Sequence, residues 1–257
     1  MTGDPKRAVQ VQFGRQASWY TISSVHRDSH ELAELLRLGA PGPEASVLDV
    51  ATGTGFTALA FAANCRQVIG VDLTLEMVRE ARRLAEDRGV SNLILCLGDA
   101  EALPFLPDTF EVVTCRKAAH HFSNLPRTLA EMTRVLKRGG KVILDDTCAP
   151  EPPGLGAVMN EWERRRDPSH VANHPPSRLR AMLEDSGLRV EAASKTHVPL
   201  EFGDWVRRSG IPRADAEALR GSFLGASREA RLAFRIRTEG DELHFAWDGI
   251  VLLGVKQ

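Results

Sequence analysis

Between residues 45 and 148 short apolar runs alternate with amphipathic ones, and this alternation limits the fold more than any other feature of the chain. Ser46–Val50 reads as a short buried strand, followed by Gly53, Thr54 and Gly55 and then a small apolar helix over Thr57–Ala63. Gln67–Val71 is a second strand. The stretch Leu75–Arg88 carries Leu75, Met77, Val78, Ala81, Leu84 and Ala85 at helical spacing. Leu93–Leu97 and Phe110–Thr114 are a third and a fourth strand. Ser123 and Asn124 offer caps to a helix with Pro126 in its first turn and Leu129, Met132, Val135 and Leu136 on one face. Gly139 and Gly140 should end that helix, and Lys141–Leu144 should begin a fifth strand. Strands that alternate with helices require parallel βαβ units with right-handed crossovers. The expected fold is α/β, a doubly wound and mostly parallel sheet.

The flanks differ in character. Residues 1–40 read as a helical lid, with Leu32, Leu35, Leu36 and Leu38 marking its second helix. Residues 149–240 mix Pro150, Pro152, Pro153, Pro175 and Pro176 with arginine-rich helices and one sheet strand, and residues 241–257 look like one or two strands returning to the sheet edge. No clean linker separates these parts. The expectation is a single domain of 257 residues, with residues 41–148 as its core. A helical cap should lie over the carboxyl ends of the strands, where open α/β sheets bind ligands.

Lys plus Arg number 33 against 34 for Asp plus Glu, a net charge of −1. Such a chain lacks the overall basic field of non-specific nucleic-acid binders, so a nucleic-acid partner is not expected. The apolar runs Ala58–Ala63 and Ile250–Leu253 are too short to cross a bilayer. The first residues lead into no apolar signal segment, and Cys65, Cys96, Cys115 and Cys148 lie far apart with no Cys-x-x-Cys pair. Reduced thiols in a cytoplasmic protein are the simplest expectation. A homodimer is compatible with everything above.

The most informative segment is Leu48–Gly55, a strand running through Ala51 into a glycine turn. Gly53 and Gly55 let the backbone turn sharply and approach a ligand. A Gly-x-Gly is weak by itself; the discriminator is Asp49, four residues before Gly53. In a dinucleotide loop a carboxylate there would repel the pyrophosphate. It suits a ligand with a cationic amino-acid group, and S-adenosylmethionine (SAM) has an ammonium, a sulfonium and no phosphate. Asp72 closes the second strand, where a carboxylate accepts from ribose hydroxyls, and Asp99 follows the third, where it would accept from an adenine amino group. The alternative for Asp72 is a cap on the next helix.

These residues carry a resemblance. Leu48–Gly55, Gly70–Asp72, Gly98–Glu101, Phe110–Val113 and Arg134–Gly140 look like the successive motifs of class I SAM-dependent methyltransferases. Arg116–Phe122 resembles the small-molecule branch that includes the ubiquinone/menaquinone-biosynthesis C-methyltransferases. Val11–Gln16 with Tyr20, and Arg165–Val171, resemble that group more loosely; Arg138 departs from it where the family commonly has Pro. The resemblance implies a Rossmann-like, seven-stranded sheet whose last strand is antiparallel, with SAM along the first four strand ends and S-adenosylhomocysteine as product. It places Asp49 and Gly53 at the methionine part, Asp72 at the ribose, and Leu73, Asp99 and Ala100 at the adenine, with Ala51 and Gly55 also among the cofactor-binding residues. Arg116 would face the space between cofactor and acceptor.

The acceptor should sit beside the fourth strand, where His120 and His121 follow in sequence. A histidine can take a proton from a phenol or an enol-like carbon; His121 is favoured slightly, and His120 is equally a packing residue. Phe13 and Tyr20 lie on the lid, the latter as the single tyrosine, and either could meet substrate. His170 could line the acceptor cavity. His170 and His174 are four residues apart, but Pro168, Pro175 and Pro176 interrupt any helix that would present both, so no metal is expected. Trp162, Phe202, Trp205, Phe223 and Phe234 should pack the cap, with one or two of them lining a pocket. Glu163–Arg166 and the later arginines, Arg207 and Arg208 among them, read mostly as a solvated surface, with an anionic substrate as their functional version. The chain therefore reads as a methyltransferase acting on carbon or oxygen of a small aromatic or hydroxylated metabolite. Methylation of RNA or protein, and SAM binding without methylation, are the alternatives.

Overall fold

The structure is a computed structural model that describes residues 4–22 and 30–257, the side chains of residues 18–30 excepted. Its centre is a sheet of order β3-β2-β1-β4-β5-β8-β6, with a short β7 (Arg237–Glu239) paired to β8. Strands β1 (Ser46–Val50), β2 (Gln67–Asp72), β3 (Leu93–Leu97), β4 (Phe110–Arg116) and β5 (Leu136–Thr147) run parallel. β8 (Glu242–Lys256) is antiparallel to both β5 and β6 (Leu188–Glu201). All five residues of β1 are buried, as a central strand covered on both faces must be.

Helices cover the two faces. On one, α5 (Leu125–Val135) and α7 (Pro176–Asp185) bury Leu129, Met132, Leu179 and Leu183 against the sheet. On the other, α2 (His30–Gly39) and α3 (Phe56–Ala62) bury Leu35 and Phe61 against Ile143 and Val251. Helix α4 (Leu75–Asp87) crosses from β2 to β3. Asn124 caps α5 by accepting from the Arg127 N–H at 3.1 Å, with Pro126 in the first turn.

The register of the last strands builds the cap. β8 pairs with β5 only from Val255 back to Gly249, opposite Thr147, whereas its pairing with β6 continues to His244. The β6–β8 ribbon therefore overhangs the carboxyl ends of the parallel strands. Around it pack α6 (Pro153–Arg166), α8 (Phe202–Ser209), α9 (Arg213–Leu224) and α10 (Arg228–Ala233), and together they bury Trp162, Phe202, Trp205, Phe223, Phe234, Phe245 and Trp247. Trp162 stacks on Phe223 with ring centres 4.0 Å apart. Among the described residues no helix is long and apolar enough to cross a membrane.

Three sequence expectations change here. Helix α5 stops at Val135, because Leu136 is buried and already pairs with Phe110; Gly139 (φ +73°) and Gly140 form an irregular entry to β5 and do not cap the helix. The C-terminal strand lies inside the sheet, and β6 takes the edge. Helix α7 packs on the sheet and is no part of the cap, since its apolar face meets the same core as α5.

Gly70 on β2 shows how closely the fold shapes the site. A Cβ there would lie 2.9 Å from Thr52 Oγ1 and 2.8 Å from Leu95 Cδ2. Thr52 is buried and held by Asp49, so it cannot swing aside. Gly70→Ala should destabilise the protein by about 1–3 kcal/mol, as overpacking does. A urea denaturation midpoint equal to that of the parent would contradict this.

Candidate active site

One cavity of about 450 Å³ opens over the carboxyl ends of the strands, beneath α1 (Pro5–Ile22). Small-molecule sites occupy roughly 300–1,000 Å³. Its inner wall is the loop after β1. Asp49, 2% exposed, accepts from Thr52 Oγ1 at 2.6 Å and from Thr114 Oγ1 at 2.8 Å. Burial pushes its carboxyl pKa up, and the hydroxyl donors and the nearby Arg116 only partly oppose this. Ala51 and Gly53 both take positive φ, near +54°, and a Cβ on Gly53 would meet nothing within 4 Å. The backbone is thus bare where the cavity begins.

Asp72 closes the next strand. Its two oxygens accept from the N–H groups of Gly53 at 2.8 Å and Thr74 at 2.9 Å, tying the glycine loop to β2. The N-cap residue of α4 is Thr74, so Asp72 is not that helix's cap. Burial raises the Asp72 carboxyl to about 6 despite those donors. Each oxygen keeps a lone pair for a further donor. Two buried acids beside bare glycine backbone fit a ligand that brings a cation and hydroxyl groups, and would repel a phosphate; the residues present suit SAM. Gly55 does not line the cavity: at φ +84° it packs the loop on α4, where a Cβ would come within 3.1 Å of the Ala81 Cβ.

Leu73, Asp99, Ala100 and Glu101 continue the wall. Lys6 of α1 reaches across to Asp99 (2.6 Å) and Glu101 (2.8 Å). Partial burial pushes both carboxyls up, but the Lys6 ammonium outweighs it and holds them below the usual range. Gln10 adds a bond to the Leu73 carbonyl at 3.1 Å, so α1 is fastened over this end. Nothing in the sequence around Lys6 announced this pairing. Arg116 lines the middle of the cavity and donates to Thr57 Oγ1 at 2.9 Å.

Past β4 the chain turns through Lys117 (φ +53°) into a short 3₁₀ turn, Ala119–His121, which sets both histidines on the cavity wall. His120 Nδ1 lies 2.7 Å from Asp146 Oδ1, and Asp146 Oδ2 accepts the His120 N–H at 3.0 Å. Burial alone would lower the His120 pKa; the Asp146 carboxylate outweighs it and raises it. His121 Nδ1 faces the Ser169 carbonyl at 3.1 Å, and Ser169 Oγ donates to Asp167 Oδ1 at 2.6 Å. Burial and the neighbouring His120, 4.2 Å away ring to ring, lower the His121 pKa to about 4. Phe13 meets His121 edge-on at 4.9 Å, bringing α1 to the histidines as well. Asp146, absent from the sequence reading, was signalled by Asp145-Asp146 at a strand end, the same cue that marked Asp49 and Asp72.

His170 is not brought to the cavity. It is buried behind His120, with Nε2 at 2.8 Å from Asn160 Oδ1, because its loop is pinned by the N–H groups of Val171 and Ala172 donating to the His120 carbonyl. Tyr20 belongs to α1, but its side chain lies outside the described residues. The far wall is the overhanging ribbon and cap: Val198, Leu200, Trp205, Trp247, Arg166 and Arg208. Cys115 and Cys148 are buried, and burial pushes the Cys148 thiol up to about 12, so both are inert packing groups.

Residues 48–144 match the sequence profile of a methyltransferase domain. An uncharacterized methyltransferase of Bacillus subtilis, YcgJ, is 36% identical over 96% of this chain and 99% of its own. Its crystal structure matches with a TM-score of 0.86, at 37% identity, over 89% of this chain and 98% of that one. A putative methyltransferase from Bacillus halodurans matches with a TM-score of 0.86 and 34% identity over 89% of this chain and 99% of the other. A ubiquinone/menaquinone biosynthesis C-methyltransferase of Marinomonas sp. is 31% identical over 65% of this chain and 70% of its own length. Sheet order, cradle and relatives define a Rossmann-like, class I methyltransferase. This chain belongs to the methyltransferase family and is a SAM-dependent enzyme.

The raised Asp72 pKa would make a SAM site built on this carboxylate sensitive to acid. In the free protein Asp72 takes up its proton as pH falls through about 6, above the 3.8 of an ordinary aspartate. Folding therefore gains stability at this group as pH falls from 6 towards 4, whereas a ligand that needs the ionised carboxylate loses affinity, by up to about tenfold per pH unit. Titration calorimetry with SAM should show that loss below pH 6, and Asp72→Asn should bind weakly with little of this pH dependence. Flat affinity from pH 7 to 5 in the parent would contradict the assignment.

Proposed function

We propose that the enzyme methylates a carbon or oxygen of a small metabolite that must lose a proton, and that His120, oriented by Asp146, is the group that takes it. The observation that carries this reading is the His120–Asp146 pair opening on the same cavity as Asp49, Gly53 and Asp72. Asp49, Ala51, Gly53, Asp72, Leu73, Asp99 and Ala100 would hold SAM, with Arg116 at its border with the acceptor. When bound, SAM supplies an electrophilic methyl group on its sulfonium. The chain's own task is to align the acceptor, exclude water and manage one proton.

With Nδ1 engaged by Asp146, His120 keeps Nε2 for the acceptor's proton, and the carboxylate stabilises the imidazolium that results. His121 differs from the sequence expectation in role. Its low pKa keeps it neutral, and its Nδ1–H donates to the Ser169 carbonyl, so it shapes and orients while His120 titrates. Phe13, Trp205 and Trp247 supply apolar walls that keep water out. The Marinomonas relative, by its name a C-methyltransferase of quinone biosynthesis, supports a small hydroxylated ring as acceptor.

His120 must be neutral to accept a proton, and Asp146 raises its pKa above the ordinary 6.5. Rate should therefore climb with pH through a midpoint above 6.5, and Asp146→Asn should move that limb to lower pH. His120→Ala should cost about 10²–10⁴-fold in kcat/KM, the usual range for a general base, and His121→Ala much less. The acceptor itself would be found with SAM labelled in its methyl group and a size-fractionated cell extract. Label in the small-molecule fraction supports the reading, label in protein or RNA overturns it, and full turnover by His120→Ala removes the base.

A further inference from the structure

Most of the arginines in the second half of the chain are spent on the surface, as their sequence neighbours imply: Arg213 pairs with Glu217, Arg207 with Asp204, Arg237 with Glu239 and Arg235 with Asp248. Arg166 and Arg208 are different. Their side chains are only 15% and 22% exposed, and both line the cap end of the cavity beside Trp205 and Trp247. A guanidinium held in so enclosed a wall needs acceptors for its N–H groups.

The carboxylates of this wall are already occupied. Glu163 accepts from Trp247 Nε1 at 2.6 Å and faces Arg166 Nη1 at 3.5 Å. Asp167 accepts from the Ser169 N–H at 2.8 Å and from its hydroxyl at 2.6 Å. Asp204, on the half-exposed outer side, faces both Arg207 (3.4 Å) and Arg208 (3.1 Å). Arg166 is held in place by donating Nε to the Trp205 carbonyl at 3.1 Å, with its plane over the Trp205 ring at 5.1 Å. Among the described residues its Nη2 makes no bond. At the opposite end the cavity is acidic, through Asp49 and Asp72. At the cap end Glu163 and Asp167 line the cavity as well, but both are engaged by the donors named above, and Arg166 offers its Nη2 to a further acceptor.

The geometry points to an anionic acceptor: a small aromatic or apolar molecule bearing a carboxylate or phosphate, its oxyanion held by Arg166 and its body against Trp205 and Trp247. This rests on the methyltransferase reading of the cavity and narrows its substrate class. A guanidinium stacked on an indole keeps a fixed fork, which suits the planar oxygens of such groups.

The test is binding, measured by calorimetry on the S-adenosylhomocysteine-loaded protein, of 3-phenylpropanoate and phenyl phosphate against neutral 3-phenylpropanol. An anion should bind at least about tenfold more tightly than the alcohol, the scale of one charge-assisted bond. Arg166→Met should remove that preference while S-adenosylhomocysteine affinity stays at the parent value, and Arg166→Lys should keep part of it. The cofactor affinity reports that each variant is folded. Equal binding of anion and alcohol, no binding of either, or an anion that competes with S-adenosylhomocysteine would overturn the inference. The labelled extract separates the two readings: a methylated small molecule that passes an anion exchanger unretained overturns the charge assignment alone, whereas label in macromolecules overturns both.

Discussion

Everything in the site is hung from a carboxylate that the fold buries at the end of its central strand. Asp49 cannot shed its charge to water, so it is stabilised by the hydroxyls of Thr52 and Thr114, one from its own loop and one from β4. That arrangement sets the loop's direction, brings Ala51 and Gly53 into left-handed backbone, and requires Gly70 to be without a side chain so that Thr52 has room. Asp72 repeats the device one strand over by gripping the Gly53 N–H. Both acids are poised above their ordinary pKa. A binding partner that supplies the missing donors recovers what burial cost.

The two histidines show how a few ångströms separate roles that composition leaves equal. They are adjacent in sequence, both half-buried and both on the cavity wall. His120 meets a carboxylate, which favours its cationic form; His121 meets a carbonyl and the ring of His120, which favour its neutral form. Two imidazoles at 4.2 Å cannot both be charged cheaply. The pair is therefore split, one held towards its cationic form and the other towards its neutral form. α1 closes over both ends of the cavity, through Lys6 at the acidic rim and Phe13 at the histidines.

The β6–β8 ribbon gives the acceptor end its shape. Because β8 outruns β5 at Gly249, its first half stands above the sheet and carries Phe245 and Trp247 into the cap. Cap helices then pack aromatic against aromatic, and Trp205 and Trp247 face the cavity while Trp162 and Phe223 stay in the interior. The same packing presents Arg166 and Arg208 to the cavity, while Arg207 and Arg213 lie in solvent.

How much was legible follows from which forces are local. The alternation of strands and helices, the glycine turn and the acids at strand ends were readable because hydrophobic period, backbone freedom and charge are carried by neighbours in sequence, and they led to the methyltransferase family. The same cue, applied to Asp145-Asp146, would have found the partner of His120. What residues near one another could not specify were pairings across the fold: Lys6 with Asp99, His120 with Asp146, β8 between β5 and β6, His170 withdrawn to Asn160 and Gly55 turned to Ala81. Sequence by itself determined the sheet, the family and the acids at the strand ends, since those depend on periodicity and on residue types within one loop. Tertiary structure alone decided which histidine titrates and which arginines face the cavity, because burial and charge neighbours are set by chain segments 26 residues or more apart in His120–Asp146 and 39 in Arg166–Trp205.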